Sequence, residues 1–289
     1  MNYQEISTKL AGFGVPLHEI TPLKRRLKKL ARVKSQYKTE KVVRNRERLL
    51  HFADAQRRLK NCEEALSTTV IGLLKKYTGY RVLVVWGSAR TKRDDPAFLR
   101  MVEAVSKAGP RTIIIDGCGP GIMEAALEGA RLAGAIIIGL RMVSDKAFET
   151  TLSAAENRWA ALHTFCFDHH DFYSRVASFL AFADAVIIGK SGIGGTQEKS
   201  WVEGSIQCGM MPPIPVFIFS PEYWEGFRTH FKIMLKEGAV SEHDKDLIRF
   251  VPEGEETKVF ERIDAYYAAR PHLLFPEERT AVASGERAV

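Results

Sequence analysis

Two glycine-rich segments each follow a short apolar run and open a helical pattern: Asp116-Gly117-Cys118-Gly119-Pro120-Gly121-Ile122-Met123-Glu124 and Gly189-Lys190-Ser191-Gly192-Ile193-Gly194-Gly195-Thr196-Gln197-Glu198. The order strand, glycine loop, helix narrows the possible folds more than any other feature of the chain. Glycine lets the main chain approach an anion closely, and a helix start offers unpaired N–H groups and the positive end of its dipole. Two such loops imply a nucleotide-sized anionic ligand, and Glu198 at the end of the second puts an acid beside it.

The flanking sequence supports that order. Val82 to Val85, Thr112 to Ile115, Ala135 to Gly139, Ala185 to Ile188 and Val216 to Phe219 are near-continuous apolar runs that read as strands buried on both faces. Helical patterns separate them at Ala97 to Lys107, Ile122 to Ala133, Phe172 to Ala183 and Thr196 to Gln207. The alternation predicts an α/β fold, a Rossmann-like doubly wound parallel sheet, with ligands at the C-terminal strand edge. With 289 residues, 45% of them hydrophobic, the chain can build one such domain plus a smaller appendage. We read residues 1–78 as a basic helical arm or hairpin, 79–270 as the nucleotide-binding domain and 271–289 as a C-terminal tail.

The net charge of +7 is uneven. Residues 1–78 hold 18 Lys+Arg against 7 Asp+Glu, or +11, which leaves 24 against 28, or −4, for the rest. Thr21-Pro22 reads as an N-cap and first-turn proline, followed by Leu23, Leu27 and Leu30 at helical spacing. A second pattern runs from Lys41 to Lys76, with Leu49, Ala53, Leu59, Ala65, Leu66, Ile71 and Leu74 as one apolar stripe. Interleaved acids and the lack of an aromatic platform favour a packing role over nucleic-acid binding, so no nucleic-acid partner is expected. No apolar stretch approaches the roughly 20 residues of a membrane span, so no membrane association is expected. Cys62, Cys118, Cys166 and Cys208 form no C-x-x-C pair, which points to free thiols and a cytoplasmic location.

Two common nucleotide motifs do not fit. The first strand is followed by Gly87-Ser88-Ala89-Arg90, without the G-x-G-x-x-G of a dinucleotide fold. Gly189-Lys190-Ser191 has the ending of a P-loop, but the glycine required five positions earlier is Asp184. The cluster His163-Thr164-Phe165-Cys166-Phe167-Asp168-His169-His170-Asp171 has no standard metal-ligand spacing, and alternate strand residues point to opposite faces. No metal and no cofactor is expected.

Val84-Val85-Trp86-Gly87-Ser88-Ala89-Arg90, the stretch Gly117 to Ala126, Arg175 and the loop ending at Glu198 together resemble the LONELY GUY family, whose members are often labelled "possible lysine decarboxylase". The resemblance spans roughly residues 80–252. It implies phosphoribohydrolase activity, cleavage of the N-glycosidic bond of an AMP-like nucleoside 5′-monophosphate to free base and ribose 5-phosphate, by a homodimer or larger homo-oligomer. The family's Pro-Gly-Gly-x-Gly-Thr-x-x-Glu is altered here. In the ungapped register Gly192, Gly194 and Glu198 match, while Lys190, Ser191 and Gly195 replace proline, glycine and threonine, and Thr196 falls one place late. A shifted register would put Lys199 in the glutamate position; the distance from Arg175 favours Glu198. The family's Arg-Lys pair is Arg175-Val176.

The resemblance implies that Glu198 stabilises oxocarbenium character and orients or deprotonates water, while Arg175 holds the base. Gly194, Gly195 and Thr196 would hold the 5′-phosphate, with Gly192 and Lys190 beside them. Ser88, Gly117, Gly119, Gly121 and Met123 would frame the nucleoside, and Glu124 would reach a ribose hydroxyl. The altered second loop keeps an alternative open, a non-catalytic carrier or sensor of a nucleotide or phosphorylated cofactor. Decarboxylation lacks a lysine placed for a Schiff base.

Overall fold

A computed structural model describes residues 1–42, 49–143 and 159–273, with side chains described outside 40–52. The chain opens with three helices, α1 (Tyr3–Gly12), α2 (Leu17–Val42) and α3 (Leu49–Thr78). An alternation follows: β1 (Arg81–Trp86), α4 (Pro96–Ser106), β2 (Thr112–Asp116), α5 (Ile122–Ala133), β3 (Ile136–Met142), β4 (Phe165–His169), α6 (Phe172–Leu180), β5 (Ala185–Ile188), α7 (Ile193–Gln207), β6 (Val216–Ile218), α8 (Glu225–Lys236), β7 (Arg249–Phe250) and α9 (Val259–Ala268). The strands form one sheet in the order β4-β3-β2-β1-β5-β6-β7, with every pair parallel. This is the expected Rossmann-like doubly wound sheet. The order reverses between β1 and β5, and in open α/β sheets such a switch point is where a ligand crevice lies, beyond the carboxyl ends of the strands.

Successive β1 side chains divide the core in two. Val82, Val84 and Trp86 join Phe165, Phe179, Leu59, Val70 and Leu74 on one face, and Leu83 and Val85 join Phe98, Met101, Leu127 and Ile263 on the other. The N-terminal helices therefore form the third layer of an α/β/α sandwich, over the sheet face shared with α6; on α2 the cations Arg25, Lys28 and Arg32 are exposed while Leu23, Leu30 and Val33 are buried.

Several details differ from the sequence expectations. α2 begins at Leu17, not at Thr21-Pro22; Pro22 lies inside it, and the Thr21 hydroxyl donates to the Leu17 carbonyl at 2.8 Å instead of capping. In the α3 stripe Ala53 is exposed, whereas Ala55, Val70 and Leu73 are buried beside Leu59, Leu66, Ile71 and Leu74. The Leu49 side chain lies outside the described residues, as does the tail from 274 on. The short β7 edge strand and the half-exposed α8 have no strong apolar run to announce them.

Candidate functional site

The loops after β1, β2 and β5 meet at the crevice and are stitched together by main-chain bonds. The Ser88 amide donates to the Lys190 carbonyl at 2.6 Å, and the Ile122 amide donates to the Ser88 carbonyl at 3.1 Å. Ile122, the first residue of α5, plugs the space between two glycines: a Cβ at Gly87 would lie 2.4 Å from it and one at Gly189 2.9 Å. Gly121 has φ +69°, and a Cβ there would stand 2.2 Å from the Ser88 carbonyl oxygen. Only glycine satisfies both the dihedral and the close approach.

Two helix starts face this junction without side-chain caps, Gly121 before α5 and Gly192 before α7. At α7 the Thr196 amide and hydroxyl are both given to the Gly192 carbonyl at 3.0 Å, so the unpaired first-turn N–H groups are those of Ile193, Gly194 and Gly195. A Cβ at Gly192 or Gly194 would meet nothing within 4 Å, so this start opens on free space. Gly195 packs down onto Ser191, whose carbonyl accepts from the Tyr223 hydroxyl.

Arg175 and Glu198 come together from α6 and α7. Asp171 caps α6 by accepting from the Ser174 amide at 2.8 Å, which sets Arg175 one turn into the helix, its guanidinium against Phe172 and Phe179. Arg175 Nη2 donates to Glu198 Oε1 at 3.3 Å, with side-chain exposures of 11% and 8%. Arg175 Nε and Nη1 are buried with no hydrogen-bond partner among the described residues, and Nη1 lies 3.4 Å from where a Gly117 Cβ would be. Buried donors left unpaired are rare in folded proteins and point to a missing acceptor. Lys199, the residue of the shifted register, turns away: it pairs with Glu203 at 2.6 Å and packs on the Phe227 ring.

The remaining candidates divide. Met123 lies against Gly117, with its sulfur 2.9 Å from a Cβ placed there, Ser88 and Gly121 belong to the same junction, and Gly119 lies on the loop between β2 and α5. Glu124 is buried and bound by Arg93, which also holds Glu128, so its carboxylate already has a cation. Lys190 gives its ammonium to Asp95 at 3.1 and 3.3 Å. Asp95 and Arg93 were missed as site-shaping residues, although Asp95-Pro96 has the form of an N-cap followed by a first-turn proline, which is how Asp95 starts α4.

The histidines of the 163–171 stretch go to separate places. His170 bonds Glu63 at 2.6 Å. His169 is buried with both ring nitrogens unpartnered among the described residues; burial, helped by the charge of Arg175, pushes its pKa down to about 3. His163 Nε2 lies 3.0 Å from both Asp116 oxygens, and although burial opposes its charge, the Asp116 carboxylate pushes its pKa up to about 9.

Comparison with known proteins gives one family match and a set of similar solved structures. The sequence pattern of the family described as "possible lysine decarboxylase" matches residues 123–260, a span that includes Arg175 and the whole second glycine loop. The match covers just under half of the chain. The family domain begins two residues after Gly121, and the N-terminal helices lie outside it. Comparison with curated proteins gives no match. Similar solved structures include DNA processing protein A from Streptococcus pneumoniae, 14% identical with a TM-score of 0.43, covering 64% of this chain and 63% of that one. They also include the molybdenum cofactor binding protein from Rippkaea orientalis, 15% identical with a TM-score of 0.43, covering 65% and 97%. The molybdenum cofactor carrier protein from Chlamydomonas reinhardtii is 15% identical with a TM-score of 0.44, covering 64% and 99%. This chain thus spans under two thirds of the DNA processing protein and nearly all of the two cofactor-binding proteins.

Proposed function

We propose that the protein is a phosphoribohydrolase that cleaves a nucleoside 5′-monophosphate to free base and ribose 5-phosphate. The observation that carries this reading is the buried Arg175–Glu198 pair, with two Arg175 donors unpartnered, beside the uncapped start of α7. The α7 start suits the 5′-phosphate: amides of Ile193, Gly194 and Gly195 can donate to its oxygens, and the dipole favours the dianion. The Thr196 hydroxyl, already donating to Gly192, retains lone pairs only, so the phosphate contact shifts one residue toward the helix start.

With the phosphate there, ribose C1′ comes under Glu198. The carboxylate stabilises the positive charge that builds on the sugar as the C1′–N bond lengthens, and it orients water and takes its proton. The electron pair of the breaking bond leaves with the base, and Arg175 hydrogen-bonds the acceptor on which that charge collects. Arg175 serves as a fixed cation and not as the acid, because a guanidinium keeps its protons. The Lys190–Asp95 pair shapes the loop without contributing a free charge.

A carrier or sensor is favoured by one feature, the pairing of Glu198 with Arg175 at 3.3 Å, which offsets the negative charge of the carboxylate. The readings part on a panel of nucleoside 5′-monophosphates incubated with pure protein, with base and ribose 5-phosphate followed by chromatography. Release of both products is expected. A rise in melting temperature without any release would move the function to carriage. A homodimer or larger assembly and a reducing, cytoplasmic setting belong with the same reading: Tyr173 and Trp201 form an exposed aromatic pair between α6 and α7, and the four cysteines are free thiols.

A further inference from the structure

Three neighbouring strands put Asp116, Gly139 and Cys166 in one row, since Asp116 pairs with Gly139 and Gly139 with Cys166. Gly139 leaves a hole in that row. A Cβ there would lie 2.1 Å from Cys118 Sγ and 2.9 Å from His163 Cδ2, so the sulfur and the imidazole fill the space it lacks. Cys118 reaches it by a left-handed backbone turn, φ 61°, braced by its amide donating to Asp116 at 2.6 Å. Across the hole its sulfur lies 3.6 Å from Cys166 Sγ, in van der Waals contact without a bond.

Asp116, Cys118 and His163 also lie within reach of one cation, but the geometry argues against a metal. Cys118 Sγ is equidistant from the two ring nitrogens, 4.0 and 3.9 Å, so it does not lie along the Nε2 lone pair. Nδ1 faces the Trp159 carbonyl at 3.0 Å and Nε2 the Asp116 carboxylate. Both neighbours only accept, so the ring carries both protons and is a standing imidazolium. We propose that Cys118 and Cys166 form a dithiol that a peroxide-class oxidant converts to an intramolecular disulfide, a modification site tying the first glycine loop to β4.

Cys166 is the attacking sulfur. It is half-buried and so reachable, and its thiolate is favoured by the hydrogen bond from Cys118 and by the charges of His163 and Arg141, whereas Cys118 is fully buried and held as the thiol. The Cys166 thiolate attacks one peroxide oxygen; an S–O bond forms, the O–O bond breaks, and hydroxide leaves and is protonated to water. Cys118 sulfur then attacks Cys166 sulfur; the S–S bond forms, the S–O bond breaks, and the departing hydroxide takes the Cys118 proton. Two thiols and one peroxide give one disulfide and two waters, both electrons passing to the peroxide. Closing the bond draws Cys118 toward β4 and with it Gly117 and Gly119, which flank the crevice; this consequence rests on the proposed nucleotide site.

The test uses full-length protein with Cys62→Ser and Cys208→Ser, treated with hydrogen peroxide and read by intact mass and peptide mapping. Expected are the loss of two hydrogens, a peptide joining Cys118 to Cys166, and reversal by dithiothreitol. Adding Cys118→Ser should stop the reaction at a sulfenic acid on Cys166 that dimedone traps. Persistence of both thiols in the folded protein, or linkage only after denaturation, overturns the proposal. AMP should raise the melting temperature of the reduced form and lose that effect on oxidation. An unchanged AMP response in the bonded form overturns the loop coupling. No AMP response in the reduced form counts against the nucleotide site, while the mass data still decide the dithiol.

Discussion

His163 and His169 lie at either end of the β4 region, and the fold moves their protons in opposite directions. The His163 pKa, raised to about 9 against an unfolded value near 6.5, contributes stability that is full below about pH 6.5 and is lost as pH climbs toward 9. The His169 pKa is lowered to about 3, so stability is lost as pH falls from about 6.5 toward 3, where the unfolded chain binds a proton that the folded one refuses. Each limb is worth on the order of a few kcal/mol, because a tenfold change in proton affinity corresponds to roughly 1.4 kcal/mol. Urea midpoints across pH should therefore peak near 6.5. Asp116→Asn should flatten the alkaline limb and His169→Phe the acid limb between pH 6.5 and 5; limbs that survive both changes would refute the assignment. Gly139→Ala tests the crowding at the same place: with a Cβ 2.1 Å from Cys118 Sγ, it should cost about 2 kcal/mol. Cys118→Ala in the same chain should restore most of the loss.

At the scale of elements, legibility follows local chemistry. α5 runs over the residues the sequence predicts, Ile122–Ala133, because Gly121 and Gly134, both at positive φ, mark its two ends. β5 is likewise Ala185–Ile188, an apolar run closed by Gly189. The start of α2 is not legible in the same way: Thr-Pro carries the cap signal in isolation, whereas Pro16 already opens the helix one turn earlier, with the Glu19 amide donating to the Pro16 carbonyl. In the site, the glycine loops are readable from the order of strand, loop and helix, and the Arg175–Glu198 meeting follows from the family resemblance. The partners of Lys190 and Glu124 are not, because Asp95 and Arg93 come from a loop whose path only the tertiary fold fixes. The same holds for Lys75 and Asp184, which form a buried ion pair between α3 and the start of β5 while Asp184 also accepts from the Val82 amide at 2.8 Å. Asp184→Ala removes two acceptor contacts at once and should lower stability by about 3 kcal/mol. A chemical denaturation curve checks this; a loss under about 1 kcal/mol would mean that the pair is solvated.

For the whole molecule, the charge asymmetry is a consequence of layering. Among the described residues, cations such as Arg25, Lys28 and Arg32 ride on the solvent side of helices whose inner side closes one face of the sheet, against Val82, Val84 and Trp86. A chain beginning at Gly79 should therefore expose that face and lack a cooperative unfolding transition by circular dichroism; a truncated chain that folds and unfolds sharply would show that the sheet closes without them. The layer also packs on α6, where the Ser67 and Ser178 hydroxyls bond at 2.9 Å, and so backs the helix that carries Arg175. The proposed hydrolysis depends on this positioning, since a phosphate at the α7 start must bring a glycosidic bond to the Glu198 carboxylate. The decisive comparison is between wild type and Glu198→Gln for release of base and ribose 5-phosphate from nucleoside 5′-monophosphates, with melting temperature read on the same samples. The variant should keep the ligand-induced thermal shift and lose at least about 100-fold in product release, the scale of a general base. Equal release by both proteins, or none by wild type with any monophosphate, would rule out Glu198-dependent hydrolysis.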